Sequence, residues 1–153
     1  MFLMCDQQNV ADLIRELYSL HEQRAYTYHL FDEGHKIYLE ASPHYDFVKF
    51  RQLVHEVTAE FKRISESVIT IEQKMRNECR NTTLADMIYT LQEEEKQKLK
   101  LTAKLQLAKQ EFIESNENNL KRDEIKATKQ QLNNVIENIN GVLRDIRYEV
   151  DSY

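Results

Sequence analysis

The sequence predicts an all-α protein, an elongated antiparallel bundle of about four long helices with coiled-coil-like packing. Three observations predict it. The 153 residues include only two Gly and one Pro, whereas β-proteins place such residues at closely spaced turns. Charged residues make up 31% and hydrophobic ones 41%, the balance of helices with one wet and one dry face. Apolar residues also recur at alternating spacings of three and four over stretches much longer than a strand. The length fits a single helical domain over residues 1–153 and suffices for a real core.

The first helix is predicted over residues 6–41. Its stripe of Val10, Leu13, Ile14, Leu17, Leu20, Tyr28, Phe31 and Tyr38 is broad and aromatic, which suits packing against two neighbours. Gly34 lies inside this run, where it costs up to about 1 kcal/mol relative to Ala; a close helix crossing or a local kink explains it. Ser42-Pro43 ends the helix. Ser42 can cap the next one, and Pro43 suits its first helical position.

The second helix, over 44–80, carries the cleanest pattern. Phe47, Phe50, Val54, Val57, Phe61, Ile64, Val68, Ile71 and Met75 alternate by three and four without a miss, the period of a coiled-coil seam. Asn81-Thr82-Thr83 separates it from a third helix over 83–115, where Thr83 and Asp86 read as a capping box with Asp in the acidic place. The third helix has an apolar start (Leu84, Met87, Ile88, Leu91) and an apolar end (Leu101, Leu105, Ala108, Phe112, Ile113). Between them Glu93 to Lys98 reads as a solvated charged face, supported by a Glu94–Lys98 pair at i,i+4.

A fourth helix over 119–150 repeats the seam with Ile125, Thr128, Leu132, Val135, Ile139, Val142 and Ile146, widened by Ile136, Leu143 and Val150. The polar stretch Ser115 to Asn119 contains neither Gly nor Pro, so the third and fourth helices are either separate or continuous through a kink. Each helix of 30–35 residues would run roughly 50 Å at 1.5 Å per residue. Short connections favour antiparallel neighbours, giving an up-down-up-down bundle or two helical hairpins laid together.

Composition also bounds function. Cys5 and Cys79 match no metal or redox spacing, and two thiols without a secretory signal fit a reducing compartment, cytoplasmic or nuclear. No stretch approaches the roughly 18 consecutive apolar residues of a membrane span. The net charge is −5, and the first 42 residues are the most acidic stretch, with seven Asp or Glu against three Lys or Arg. Such a surface does not draw in a phosphate backbone, so direct nucleic-acid binding is a poor default. The basic cluster Lys121, Arg122, Lys126 and Lys129 is diluted by Asp123 and Glu124. Two glycines, Gly34 and Gly141, cannot build a phosphate loop, a nucleophile elbow or a dinucleotide fingerprint. The expectation is a protein without enzymatic activity or cofactor.

The remaining candidate site is the His- and Tyr-rich hairpin of the first two helices, residues 18–58. Folding back about Ser42-Pro43 pairs positions that sum to about 85, which would bring His55 and Glu56 near His29 and Asp32. His29 and His35 diverge by about 120° around the helix axis, so a metal would need ligands from both helices. A polar hydrogen-bond network, or plain surface residues, is the preferred reading. Tyr28 and Tyr38 lie on the core stripe; Tyr26 and His29 lie off it and are the better interface candidates.

On the same hairpin, Leu20-His21-Glu22-Gln23-Arg24, Asp32-Glu33-Gly34-His35, Tyr38-Leu39, Pro43, Tyr45-Asp46-Phe47 and Arg51 through Thr58 resemble the "required for excision" B-domain family. The match is dense from about Leu17 to Phe61. The resemblance implies a small helical protein linked to DNA excision repair, with no catalytic residue to carry over. It also marks Asp32, Gly34, His35, Tyr45, Asp46, Arg51 and His55 as interaction or architecture residues. The leading expectation is therefore an interaction or adaptor protein whose hairpin meets a protein partner. The alternative is a structural coiled-coil subunit of a larger cytoskeletal or assembly complex, and seams of this kind also allow a homo-oligomer.

Overall fold

The computed structural model describes residues 6–153. Four helices follow in order: α1 (Gln7–Glu40), α2 (Phe47–Asn77), α3 (Thr82–Glu114) and α4 (Asn119–Asp151). The fold is all-α, as the sparse turn formers predict. Two compact units divide the chain, one running to Asp86 and including Tyr153, the other Met87–Ser152.

The first unit is built on the antiparallel pair α1–α2. Its α1 stripe is a full heptad run, with Val10, Ile14, Leu17, Arg24, Tyr28, Phe31, His35 and Tyr38 buried and His21 half-buried in the remaining place. On α2 the run from Val57 through Phe61, Ile64, Val68 and Ile71 to Met75 is buried, and Phe50 and Val54 are half-buried. Ring pairs show the register: Tyr38 faces Phe47 at 5.7 Å, His35 faces Phe50 at 5.6 Å, and Tyr28 faces Phe61 at 4.6 Å. These positions sum to 85–89, the register of the predicted fold-back. Two runs of period 3.5 in this register interleave along their length.

Several local expectations need correction. Asp46, not Ser42, caps α2: its carboxylate accepts the Lys49 N–H at 3.1 Å, and its carbonyl accepts the Phe50 N–H. A charged carboxylate there meets both the orphan N–H groups and the helix dipole. Pro43 lies in the preceding turn, joined to Ser42 by a cis bond, rather than in the first helical position. Phe47, expected in the seam, is 60% exposed, because it opens the helix at the edge of the hairpin. Thr83 does not cap α3. Asn81 does, accepting the Leu84 N–H at 3.0 Å, while Asp86 pairs with Arg76 at 2.9 Å. Cys79 is disulfide-bonded, which corrects the expectation of two thiols; Cys5 lies outside the described residues.

In the second unit the rest of α3 and α4 run antiparallel, since Lys121 pairs with Glu111 at 2.5 Å and Asn138 reaches Glu94 at 3.4 Å. Buried Leu105 and Ala108 on α3 and Ile139, Leu143 and Ile146 on α4 form apolar faces that also include Thr102, Gln106 and Thr128. The charged stretch is not wholly solvated. Lys96 pairs with Glu93 at 3.0 Å, but Glu95 is only 5% exposed, since a helix of period 3.6 turns one member of any such run inward. Helices α3 and α4 are separate. Asn116 and Glu117 take left-handed backbone conformations, with φ of 56° and 61°, and the Glu117 N–H donates to the Phe112 carbonyl at 2.9 Å, closing α3 as a Schellman-type cap does.

Candidate functional site

The α1–α2 hairpin ends in a stack of rings. Tyr38 is buried and lies 4.5 Å from Phe50 and 4.7 Å from Tyr45, both stacked. Tyr45 stands one residue before Asp46, the cap from which α2 starts, and Phe47 meets the Tyr45 ring edge-on at 6.3 Å. His35, 4% exposed, closes the stack from α1. The Tyr45 hydroxyl is buried and finds no hydrogen-bond partner among the described residues. Of the residues singled out in the sequence, His35 and Tyr45 thus belong to the packing of the hairpin tip, and Asp46 is the cap of α2.

At Gly34 the two helices approach closely. The side chain of Leu53 occupies the place a Cβ on residue 34 would take, with its Cγ 3.3 Å from that point. Of the two explanations for a mid-helix glycine, the structure therefore has the close crossing, and α1 runs unbroken through it.

Tyr26, His29, Asp32, Arg51 and His55 are all exposed. Among the described residues, no three His, Cys, Asp or Glu side chains gather to hold a metal ion. Tyr26 differs from the others in what surrounds it. It is 63% exposed and, with the exposed Leu30, borders a groove of about 490 Å³ between α1 and α2 that Leu53 and Val57 also line. Glu22, Glu56 and Glu60 form its rim. Glu60 is engaged by Arg63, whose hydrogen bond holds that carboxyl below the usual carboxylate range, and Arg63 also donates to Gln23 at 2.5 Å. Glu56 accepts from the neutral Gln52 amide at 2.9 Å.

A second hollow of about 270 Å³ continues along the same two helices between Gly34, Ile37 and Lys49, and Leu53 lines both. Ile37 is 59% exposed there. The sequence reading picked out Tyr26 but missed Leu30, Ile37 and Leu53. A signal was present: Gln23, Thr27, Leu30, Gly34, Ile37 and Ala41 alternate by four and three, one position ahead of the core seam. That second stripe is easily absorbed into the description of the first as broad.

Comparison with known proteins places this hairpin in a family. Residues 12–109 match the family described as DNA repair REX1-B, so the likeness extends well past the segment from Leu17 to Phe61. A cattle (Bos taurus) "Required for excision 1-B domain-containing protein" is 30% identical over 143 residues, covering 94% of this chain and 78% of its own length. The mouse (Mus musculus) protein of the same name is 31% identical over 144 residues, covering 94% and 82%. No solved structure matches. With its hairpin inside the matched region and the likeness running through most of α3, the chain belongs to the DNA repair REX1-B family.

Proposed function

We propose that the protein acts in DNA excision repair as a non-enzymatic helical adaptor, working in the nucleus and holding a protein partner on the α1–α2 hairpin. The observation that carries this reading is the open groove of about 490 Å³ between the two helices, where Tyr26 and Leu30 remain 63% and 40% exposed beside the buried heptad seams. Large amphipathic and apolar side chains over a concave floor are the usual makings of an interface centre. The link to repair comes from the family. Cells lacking the protein are expected to be sensitive to ultraviolet light. Wild-type protein should restore resistance, and an equally abundant Tyr26→Ala/Leu30→Ala variant should not. Full rescue by that variant would remove the groove from the account, and normal resistance in the deficient cells would remove the repair role.

The in-register seams of α1 and α2 favour a second reading, a coiled-coil subunit of a larger assembly whose helices exchange between chains. Light scattering separates the two, since exchange requires a mass above that of the 18.3 kDa monomer that rises with concentration.

A further inference from the structure

We propose that the occupant of the α1–α2 groove is a basic amphipathic helix of a partner protein. The inference rests on the adaptor reading and specifies the chemistry of the partner.

The form of the occupant follows from the period of the walls. Along α1 the groove and its continuation are lined by Thr27, Leu30, Gly34 and Ile37. Along α2 they are lined by Lys49, Leu53, Glu56 and Glu60. Both sets alternate by three and four, and each lies one position from the seam that joins the helices. Side chains repeating at this interval form ridges and holes that accept another helix, whereas an extended strand repeats every second residue. From Ser19 to Leu30 the larger hollow spans eleven steps of α1, about 16 Å or three helical turns. Apolar side chains at i, i+4 and i+7 of a partner helix match that length.

The charge of the occupant follows from the rim. Glu22, Glu56 and Glu60 line the larger hollow, and no Lys or Arg is among its lining residues. Arg63 neutralises Glu60. Glu56 has a neutral amide rather than a cation as its hydrogen-bond donor, and Glu22 enters no ion pair among the described residues. Two carboxylates beside an apolar floor attract a helix with lysine or arginine flanking its apolar stripe and repel an acidic one. The excess of acidic over basic residues in the first 42 positions adds a field of the same sign.

The test uses the full chain and two synthetic 18-residue helical peptides. Both carry leucine at i, i+4, i+7 and i+11; one has lysines beside that stripe and its twin has glutamates. Fluorescence anisotropy should show the lysine peptide binding at least tenfold more tightly than the twin at low salt. The preference should shrink severalfold in Glu22→Gln/Glu56→Gln, and binding should be lost in Tyr26→Ala/Leu30→Ala, with unchanged circular dichroism in both variants. Equal binding of the two peptides, binding of neither, or a preference that survives Glu22→Gln/Glu56→Gln overturns the proposal. So does a homodimer broken by Tyr26→Ala/Leu30→Ala, because a second copy would then be the occupant. Affinity capture of cellular partners on wild type and on the groove variant separates this failure from that of the adaptor reading. Groove-dependent capture with no charge preference would leave the adaptor standing and remove the basic helix.

Discussion

Leu53 of α2 fills the space that a side chain on Gly34 of α1 would need, so the absence of a Cβ at residue 34 is what lets the two helices meet there. A glycine within a helix sacrifices roughly 1 kcal/mol of propensity relative to alanine. At this crossing the loss is offset by the packing of Leu53, which is half-buried on that contact.

Gly34→Ala tests the relationship. Better propensity stabilises by up to about 1 kcal/mol, but forcing a methyl against Leu53 costs about 1–3 kcal/mol. The Leu53 Cγ, at 3.3 Å from the ideal Cβ position, limits how far the side chain can swing away, so the steric cost should win. Urea denaturation should show a net loss of about 1 kcal/mol, consistent with those ranges. Combined with Leu53→Ala, the substitution should cost less than the two single effects together, and strict additivity would count against a direct contact.

Tyr45→Phe should leave the protein as stable as before or raise its stability by up to about 1 kcal/mol. The hydroxyl is buried without a partner among the described residues, so its removal relieves a desolvation cost of about 1–3 kcal/mol that no hydrogen bond repays. The ring stack on Tyr38 is kept. A drop in melting temperature of several degrees would mean that the hydroxyl has a partner after all.

The caps predict opposite results at two neighbouring residues. Asp46→Ala removes the acceptor of the Lys49 N–H and should cost about 1 kcal/mol, whereas Asp46→Asn keeps an acceptor and should cost less. Ser42→Ala should stay within about 0.5 kcal/mol of wild type, as exposed substitutions away from a cap usually do. Chemical denaturation of the three variants is sufficient, and a larger loss at Ser42 than at Asp46 would reverse the assignment.

Two isoleucines of α2 separate seam from surface. Ile64 is fully buried and Ile69 is 44% exposed. Ile64→Ala should destabilise by about 2–5 kcal/mol through lost burial and a residual cavity. Ile69→Ala should cost less than about 1 kcal/mol. Similar losses at both positions, measured as shifts in the urea midpoint, would put the seam in the wrong place.

By itself the sequence determined the helical class, the helix ends to within three residues and the antiparallel register of α1 on α2. These follow from period and from breakers, properties that neighbouring residues carry along the chain, while the break between α3 and α4 was decided by the left-handed Asn116 and Glu117. It also carried the family resemblance, on residues that fall within the matched region. Only the tertiary structure decided which polar residues enter the core. Arg24 and His35 are buried although their side chains alone favour the surface, because a seam position is buried by the partner helix regardless of what occupies it. The same holds for the candidate residues. Local pattern treated Tyr26 and His29 alike as off-stripe aromatics, and only the second helix places a groove beside Tyr26. Asp46 drew notice only as part of a motif, and its role as cap is local to α2; for Gly34 the sequence left a crossing and a kink open, and Leu53 of α2 decides for the crossing.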